Sequence, residues 1–264
     1  MGFKTVLGGP LLSATVLLAG LTAGSFLNLV IHRGPVMWKL VDAPARGDLI
    51  RPRSYCPKCR TPLRFPNLLP IASYVLQKGR CAACGASISA RYPVVEAMAG
   101  VSTLLSVSAF GLSLAALAAT VFALALIALA FIDAETGFLP DAITLPLLSA
   151  GLAANAVSLF ARPLDALIGA VAGFFAFWAI GVAYRRLRRR DGLGLGDAKL
   201  LAAIGAWTGW VYLPLVIFTA AVMTLMVAVA RRKTKKTDEI PFGPGLCAAG
   251  FAALFFGERL VSAL

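Results

Sequence analysis

Long apolar stretches separated by short polar segments make up most of the chain. The stretches are continuous rather than alternating, which predicts helices and not the strands of a membrane barrel. Several approach the length of about 20 residues that a helix needs to cross a bilayer. The pattern predicts about eight transmembrane helices, with approximate bounds 5–31, 93–112, 115–132, 142–160, 166–184, 198–209, 211–230 and 243–262.

The composition agrees with a membrane protein. The 264 residues are 59% hydrophobic and only 14% charged, whereas soluble domains carry about 25% charged residues. So few charges cannot cover the surface of a soluble globule. Because backbone groups inside a bilayer must satisfy one another, the fold class predicted is an all-α polytopic membrane protein.

The positive charge of the chain is unevenly distributed. A net charge of +13 could indicate nucleic-acid binding, but every Lys and Arg except Lys4, Arg162 and Arg259 lies in or beside alternate loops. Eight spans put these loops on one side, which the positive-inside rule makes cytoplasmic. We therefore expect contacts with membrane lipids and no nucleic-acid partner, and the sequence leaves the oligomeric state open. The loops that the positive-inside rule assigns to the cytoplasmic side are 32–92, 133–141, 185–197 and 231–242.

The predicted organisation has three parts: a first transmembrane helix at 1–31, a small cytoplasmic domain at 32–92 and a transmembrane core at 93–264. A cleaved signal peptide is the alternative for the first part, because small residues follow one Lys and an apolar stretch. The apolar run continues through Ile31 to a basic flank, which favours a retained helix. No internal repeat is evident.

Four cysteines in the loop 32–92 form the pattern C-x2-C-x21-C-x2-C: Cys56, Cys59, Cys81 and Cys84. Two close pairs of thiolates suit the tetrahedral preference of zinc. A reducing cytoplasmic side disfavours disulfides, and a thiol redox role is the alternative to structural zinc. A loop of this size with little apolar content needs such a centre to fold. The fifth cysteine, Cys247, is expected to be a small core residue.

The remaining candidate chemistry belongs to carboxylates. The only histidine, His32, ends the first span, and no phosphate-binding loop or dinucleotide fingerprint is present. Asp133, Glu135 and Asp141 lie in "FIDAETGFLPD", and Asp197 lies in "GLGLGDAK". Asp133 ends the third span and Asp197 opens the sixth. Ionisable groups at membrane depth are costly and mark functional sites.

Two aspartates from different helices can share one proton, because like charges at close range cannot both ionise. One member of such a pair deprotonates water and the other protonates a carbonyl, which predicts aspartyl peptide hydrolysis at Asp133 and Asp197. Gly194 and Gly196 would permit a close approach of an extended substrate. The alternative is that Asp197 only caps the helix that it opens.

The sequence resembles the type IV prepilin peptidases, also known as prepilin leader peptidase and N-methyltransferase, over nearly its whole length. Six features carry the resemblance, in this order along the chain, and the paired Cys-x-x-Cys motifs are one of them. They are "GSFLNLVIHR", the cysteine pairs, "SISARYPVVEAMAG", "FIDAETGFLPDAITLPLL", "GLGLGDAKLLAAIGAWTGW" and "IPFGPG".

The resemblance implies a Gly-x-Gly-Asp aspartyl protease of the bacterial inner membrane with its active site toward the cytoplasm. Its substrates would be type IV prepilins and type II secretion pseudopilins, cut after a glycine to remove a short basic leader. Methylation of the new N-terminus with S-adenosylmethionine is implied by resemblance alone. The catalytic residues implied are Asp133 and Asp197, and the four paired cysteines match the metal-binding set.

The resemblance also gives supporting residues. Asp141 stands where relatives carry Asp or Asn, so it is expected to support the chemistry rather than perform it. Asn28 and Glu96 match family motifs and could contact substrate, or could form interhelical hydrogen bonds. Gly194, Gly196 and Lys199, all within "GLGLGDAK", complete the supporting set.

Two other classes of membrane protein are alternatives to a prepilin peptidase. A presenilin or signal-peptide-peptidase relative would share Gly-x-Gly-Asp, but here Ile132 stands where those proteins carry Tyr, and Pro-Ala-Leu is absent. The second alternative is a zinc-binding membrane scaffold or transporter without peptidase activity, whose aspartates serve packing or proton relay.

Overall fold

The computed structural model describes residues 9–63, 65–188, 194–232 and 240–262. Within these residues the fold is helical and no β-strand forms, which confirms the predicted all-α class. Gly192 and Leu193, the first residues of the glycine motif, lie outside the described part. The helices are α1 (Pro10–Met37), α2 (Ala72–Leu76), α3 (Arg91–Phe110), α4 (Leu114–Thr136), α5 (Asp141–Ala156), α6 (Pro163–Arg188), α7 (Leu195–Thr208), α8 (Leu213–Arg232) and α9 (Gly243–Ser262).

Each of the eight apolar runs lies on one of the long helices, α1 and α3 to α9. Among the described residues, five helices are long and apolar enough to cross a membrane: α1, α3, α4, α6 and α8. By contrast, α5 has 16 residues and α7 has 14, fewer than the roughly 20 that a full span requires. The helices of the prediction are therefore present, and the count of eight spans stays a prediction.

The first helix continues beyond the predicted boundary, to Met37, and includes Pro35. A buried Arg33 near this end donates hydrogen bonds to the carbonyl oxygens of Asp48 at 2.6 Å and Pro52 at 2.9 Å. These bonds tie the following loop to the helix. The hydrophobic pattern could not indicate this extension, because His32 and Arg33 interrupt the apolar run and Arg33 is satisfied by loop carbonyls.

The chain divides into two compact units, residues 1–128 and 129–264. In the first, α1 packs closely against α3 through small residues. A Cβ atom added to Gly20 would lie 2.8 Å from Cα of Gly100, and one added to Gly24 would lie 2.7 Å from an α3 Cα atom. Small residues allow such approach between membrane helices.

The second unit is built around α7, which packs against α5, α6 and α9. Every residue from 200 to 208 is buried, so α7 has no polar face. Its backbone touches that of α6, where a Cβ atom on either Gly169 or Gly205 would overlap the other glycine's carbonyl group. The helix that begins with the glycine motif is thus the core of this unit.

A polar side chain closes the far end of α7. The amide nitrogen of Asn155 donates to the carbonyl oxygens of Ala206 at 2.7 Å and Trp207 at 3.0 Å. Its oxygen accepts from the backbone N–H groups of Phe160 and Ala161, both at 2.9 Å. One fully buried amide therefore satisfies four backbone groups around a helix end, where carbonyls lack intrahelical partners.

We expect Asn155→Leu to lower the free energy of unfolding by about 3 kcal/mol, because it leaves buried carbonyl and N–H groups unpaired. Unfolding of the purified protein in mixed micelles would measure the loss. Ser149→Ala removes an exposed hydroxyl from the same helix and should leave stability almost unchanged. Equal stability of the two variants would contradict a structural role for Asn155.

Candidate active site and metal centre

Asp133 lies in the last turn of α4 and is buried, with 5% of its surface exposed. Its Oδ2 atom accepts a hydrogen bond of 2.9 Å from the backbone N–H of Gly243, the first residue of α9. A carboxylate buried among apolar helices needs such a partner. The partner is 110 residues away in the sequence.

Asp197 lies in the first turn of α7 and is half-buried. Its Oδ2 atom accepts a hydrogen bond of 3.3 Å from the backbone N–H of Gly194, the residue that precedes the helix. The capping interaction considered as an alternative is therefore present, with a long and exposed hydrogen bond. It occupies one carboxylate oxygen and leaves the other outside this contact.

The two carboxylates belong to the same unit. Helix α9 links their surroundings, because its first residue, Gly243, donates to Asp133 and the helix packs against α7. Cys247 is buried in α9 one helical turn after Gly243. The pairing of Asp133 with Asp197 stays a prediction.

The two motif glycines differ in what they permit. Gly194 has φ −75° and ψ 149°, an extended conformation open to any residue, and an added Cβ atom would make only ordinary contacts, the nearest with Asp197 Oδ2 at 3.6 Å. A Cβ atom on Gly196 would lie 3.1 Å from Cβ of Leu139, in the connection between α4 and α5. Gly196 therefore allows a close approach of that connection, whereas Gly194 takes no conformation that requires glycine.

Asp141 and Lys199 form an ion pair. Lys199 Nζ lies 2.7 Å from both carboxylate oxygens of Asp141, and the pair is partly exposed. Asp141 is the first residue of α5 and Lys199 lies near the beginning of α7. The pair connects the beginnings of these two helices and neutralises Asp141.

The four paired cysteines meet in the first unit. Their sulfur atoms all lie within 4.8 Å of one another, and Sγ of Cys56 is 3.9 Å from Sγ of Cys84. Tetrahedral zinc with Zn–S bonds of about 2.3 Å separates its sulfur ligands by about 3.8 Å. The arrangement therefore fits one zinc ion, with Cys56 and Cys81 buried and Cys84 exposed.

The two halves of this cluster have the same backbone structure, a local repeat that the sequence analysis does not find. The N–H of Cys56 donates to the carbonyl of Thr61, and the N–H of Cys81 donates to the carbonyl of Ala86. Each half then has a residue with positive φ directly after its second cysteine, Arg60 at 57° and Gly85 at 69°. The turns position both sulfurs of a pair toward one point.

Local hydrogen bonds favour the thiolate form at two of these positions. Thr61, through its hydroxyl and its backbone, lowers the pKa of Cys59 to about 6. Backbone N–H groups of Cys84 and Ala83 lower the pKa of Cys81. The backbone N–H of Ala86 lowers the pKa of Cys84, but the three neighbouring sulfurs and burial together raise it to about 11. Because metal ligands must be thiolates, the local contacts favour the binding form at Cys59 and Cys81 but not at Cys84.

Comparison with known proteins matches both units. Residues 18–110 match the Bacterial Peptidase A24 N-terminal domain, and residues 120–229 match the Type IV leader peptidase family. A Prepilin leader peptidase/N-methyltransferase of Burkholderia pseudomallei is 44% identical over 92% of this chain and 85% of its own length. The chain belongs to the prepilin leader peptidase/N-methyltransferase family. No solved structure matches it.

Other members are similar over comparable lengths. The Stutzerimonas stutzeri protein is 38% identical over 93% of this chain and 91% of its own length. The Pseudomonas aeruginosa protein is 37% identical over 92% and 90%. The prepilin peptidase family predicted from the six motifs is confirmed, and the roles of individual residues stay predictions.

Two supporting residues predicted from family motifs lie in the first unit. The side-chain nitrogen of Asn28 donates to the carbonyl of Tyr92 at 3.0 Å, which joins α1 to the beginning of α3. A carboxylate oxygen of Glu96 accepts from the backbone N–H of Ile71 at 2.7 Å. Ile71 has φ 57°, so Glu96 holds a strained loop residue. These contacts match the structural alternative for both residues.

A groove also lies in the first unit, between the end of α1 and the first cysteine turn, with a volume of about 730 Å³. Its walls combine apolar residues with Ser54, Thr61 and Arg53. Ligand sites in proteins have similar volumes and a similar mixture of apolar walls and a few polar groups. The apolar residues are Leu29, Leu49, Ile50, Pro52, Pro62, Leu63 and Leu68.

Sequence reasoning missed Gly243 and Cys247 as parts of the site. Gly243 stands in "IPFGPG", a motif of the resemblance, but a glycine that acts through its backbone N–H has no side-chain signature. Cys247 was expected to be a core residue, and it is buried. The spacing of four residues between them puts both on one face of α9, which is the only sequence signal that links them.

Proposed function

We propose that this protein is a prepilin peptidase that removes the short basic leader from prepilins and pseudopilins after a glycine. Asp133 and Asp197 are the catalytic pair. The observation that carries the proposal is the position of two carboxylates in one apolar helical unit: Asp133 is buried at the end of α4 against α9, and Asp197 lies at the beginning of α7, which packs on α9. Membership of the family supplies the substrate class.

The pair would hold one proton and hydrolyse the peptide without a metal ion at this site. The ionised carboxylate takes a proton from water as the water oxygen bonds to the scissile carbonyl carbon. The protonated carboxyl gives its proton to the carbonyl oxygen. When the C–N bond breaks, the amine nitrogen takes the first proton, and the second carboxylate recovers a proton from the tetrahedral hydroxyl. The pair returns to its starting state.

We propose that the active site faces the cytoplasm of a bacterial inner membrane. The distribution of Lys and Arg supports this orientation. We propose with it the three-part organisation, with a first transmembrane helix at 1–31, a cytoplasmic domain at 32–92 and a transmembrane core at 93–264. A basic leader and basic loops repel each other, and anionic lipid headgroups near the loops offset that repulsion.

The supporting residues would shape the site rather than perform the chemistry. The Asp141–Lys199 pair connects the beginnings of α5 and α7, close in sequence to each catalytic aspartate. Gly196 lets the connection after α4 approach α7 at Leu139. Both contacts fix the separation of the two segments that carry the carboxylates.

Cleavage of a model prepilin by the purified protein tests the proposal. The substrate has a basic leader that ends in Gly, followed by Phe and an apolar helix, and mass spectrometry identifies the cut. We expect one cut after that Gly. A matched substrate with the Gly replaced by Leu should remain intact. No cleavage of several prepilins would contradict the proposal and favour a scaffold or transporter.

We propose further that the protein methylates the new N-terminus, with S-adenosylmethionine as methyl donor. The groove of the first unit fits this cofactor in kind: apolar walls for the adenine, hydroxyls of Ser54 and Thr61 for the ribose, and Arg53 for the carboxylate. The cofactor supplies the methyl group when bound. Because the groove and the aspartate pair belong to different units, the two activities should be separable.

Arg53→Gln should raise the KM for S-adenosylmethionine about 10-fold, because a charged hydrogen bond to the carboxylate is lost. Methylation of a synthetic mature N-terminal peptide measures this change. Prepilin cleavage should keep its wild-type rate. Arg51→Gln is the matched control, since Arg51 is an exposed neighbour outside the lining of the groove. An equal effect of both substitutions would contradict binding in the groove.

A further inference from the structure

We infer that Gly243 is a positioning residue whose backbone N–H orients Asp133 and makes it the member of the pair that accepts the proton from water. The inference rests on the proposed peptidase function. It gives the beginning of α9 a role in a reaction otherwise assigned to α4 and α7. The matched family models end at residue 229, before this helix begins.

The contact leaves no room for a side chain at this position. The Gly243 N–H donates to Asp133 Oδ2 at 2.9 Å in a buried setting. A Cβ atom on Gly243 would lie 2.5 Å from that same oxygen and 2.9 Å from Cγ. Real Cβ atoms do not approach neighbours so closely, so any other residue must displace the carboxylate or the helix.

The first turn of α9 is itself fixed by neighbours within its unit. The ring of Phe242 packs on that of Phe177 in α6, with centroids 5.7 Å apart. A Cβ atom on Gly245 would lie 2.7 Å from Oγ1 of Thr224 in α8. Because α6 and α8 hold the residues on both sides of Gly243, its N–H has little freedom to move away from Asp133.

The two aspartates are therefore unequal. Both lie at the positive end of a helix, Asp133 against α9 and Asp197 in the first turn of α7, so they differ in their donors. Asp133 accepts a buried hydrogen bond of 2.9 Å and Asp197 an exposed one of 3.3 Å. Donation of an N–H to a carboxylate favours its charged form, and a buried bond does so more strongly. Because burial alone favours the neutral form of Asp133, its role as the base depends on the Gly243 N–H, and Asp197 carries the shared proton to the carbonyl oxygen.

Gly243→Ala in the full-length protein tests the inference, with Gly257→Ala as the matched control. Both add one methyl group to α9, but the first meets Asp133, whereas the second meets the ring of Tyr212 at 2.7 Å near the other end of the helix. We expect Gly243→Ala to reduce kcat about 100-fold, as a displacement of about 1 Å does at a catalytic group, with KM unchanged. Gly257→Ala should keep kcat, whatever its effect on thermal stability.

The pH profile separates positioning from a merely structural role. Displacement of Asp133 from its donor makes the base harder to ionise, so the acidic limb of the kcat/KM profile should move to higher pH in Gly243→Ala. The limb should stay in place in Gly257→Ala. A wild-type kcat and profile in Gly243→Ala would overturn the inference, while inactive aspartate variants would still support the peptidase. A wild-type protein that cuts no prepilin would overturn the peptidase itself.

An ester in place of the Phe242–Gly243 amide covers the case in which Gly243→Ala does not fold. A synthetic α9 segment ligated to the rest of the chain would introduce it. The ester removes the N–H and adds no volume. We expect the same upward movement of the acidic limb, and an unchanged limb would overturn the inference.

Discussion

Asp133→Asn and Asp197→Asn should each reduce the rate of prepilin cleavage by at least about 10³-fold, because each removes one half of the proton transfer. Asn has the shape of Asp, so Asp133→Asn can still accept the hydrogen bond from the Gly243 N–H. The folded protein should therefore persist. Single-turnover cleavage with purified variants measures the loss, and thermal unfolding verifies the fold.

Asp141→Asn is the matched control for this experiment. Asp141 lies in the same motif as Asp133, but it is exposed and paired with Lys199. Its substitution should lower cleavage less than 10-fold, since an exposed ion pair contributes at most about 1 kcal/mol. Cleavage that survives in either catalytic variant would remove that residue from the mechanism and make Asp141 the next candidate.

Loss of one buried cysteine should prevent zinc binding and unfold the small module that contains the four paired cysteines. Structural zinc contributes about 10–16 kcal/mol of binding free energy to such modules, and this one has few buried apolar side chains apart from Cys56 and Cys81. We expect Cys56→Ser or Cys81→Ser to lower bound zinc from one ion per chain to none. Limited proteolysis should then cut between residues 32 and 92.

Cys247→Ser provides the control, because Cys247 is buried in α9 and lies outside the cluster. It should retain one zinc ion per chain and the wild-type proteolysis pattern. Elemental analysis of the purified variants gives the stoichiometry. A protease-resistant module in a zinc-free Cys81→Ser protein would contradict the structural role of the metal.

The sequence predicts the helices well because hydrophobic runs decide where a membrane chain is helical. It also indicates Asp133 and Asp197 as candidates, since each carboxylate ends or begins an apolar run, and their pairing stays a prediction. The amide of Asn155 is a different case. Its four partners are backbone groups. Because every residue has a backbone, the sequence does not indicate which groups will bond to this side chain. The contact of Gly243 with Asp133 is hidden for the same reason.

The membrane spans predicted from the hydrophobic pattern also differ from what the structure shows. The hydrophobic run of α7 reads as a short span, but the helix is surrounded by protein on all sides. A helix in that position is not required to match the bilayer. Its small residues instead allow close packing against Gly169. A hydropathy pattern cannot distinguish such packing from contact with lipid.

The short helices have a consequence for the membrane around the second unit. At 1.5 Å per residue, α5 is about 24 Å long and α7 about 21 Å, against a hydrocarbon thickness of about 30 Å. A lipid-facing helix of this length thins the bilayer locally, and α5 exposes Leu145 on its surface. The surrounding lipid is then compressed and water comes nearer to the midplane. Bilayer thickness becomes a physical variable that sets how far an extended peptide must travel to reach the carboxylates.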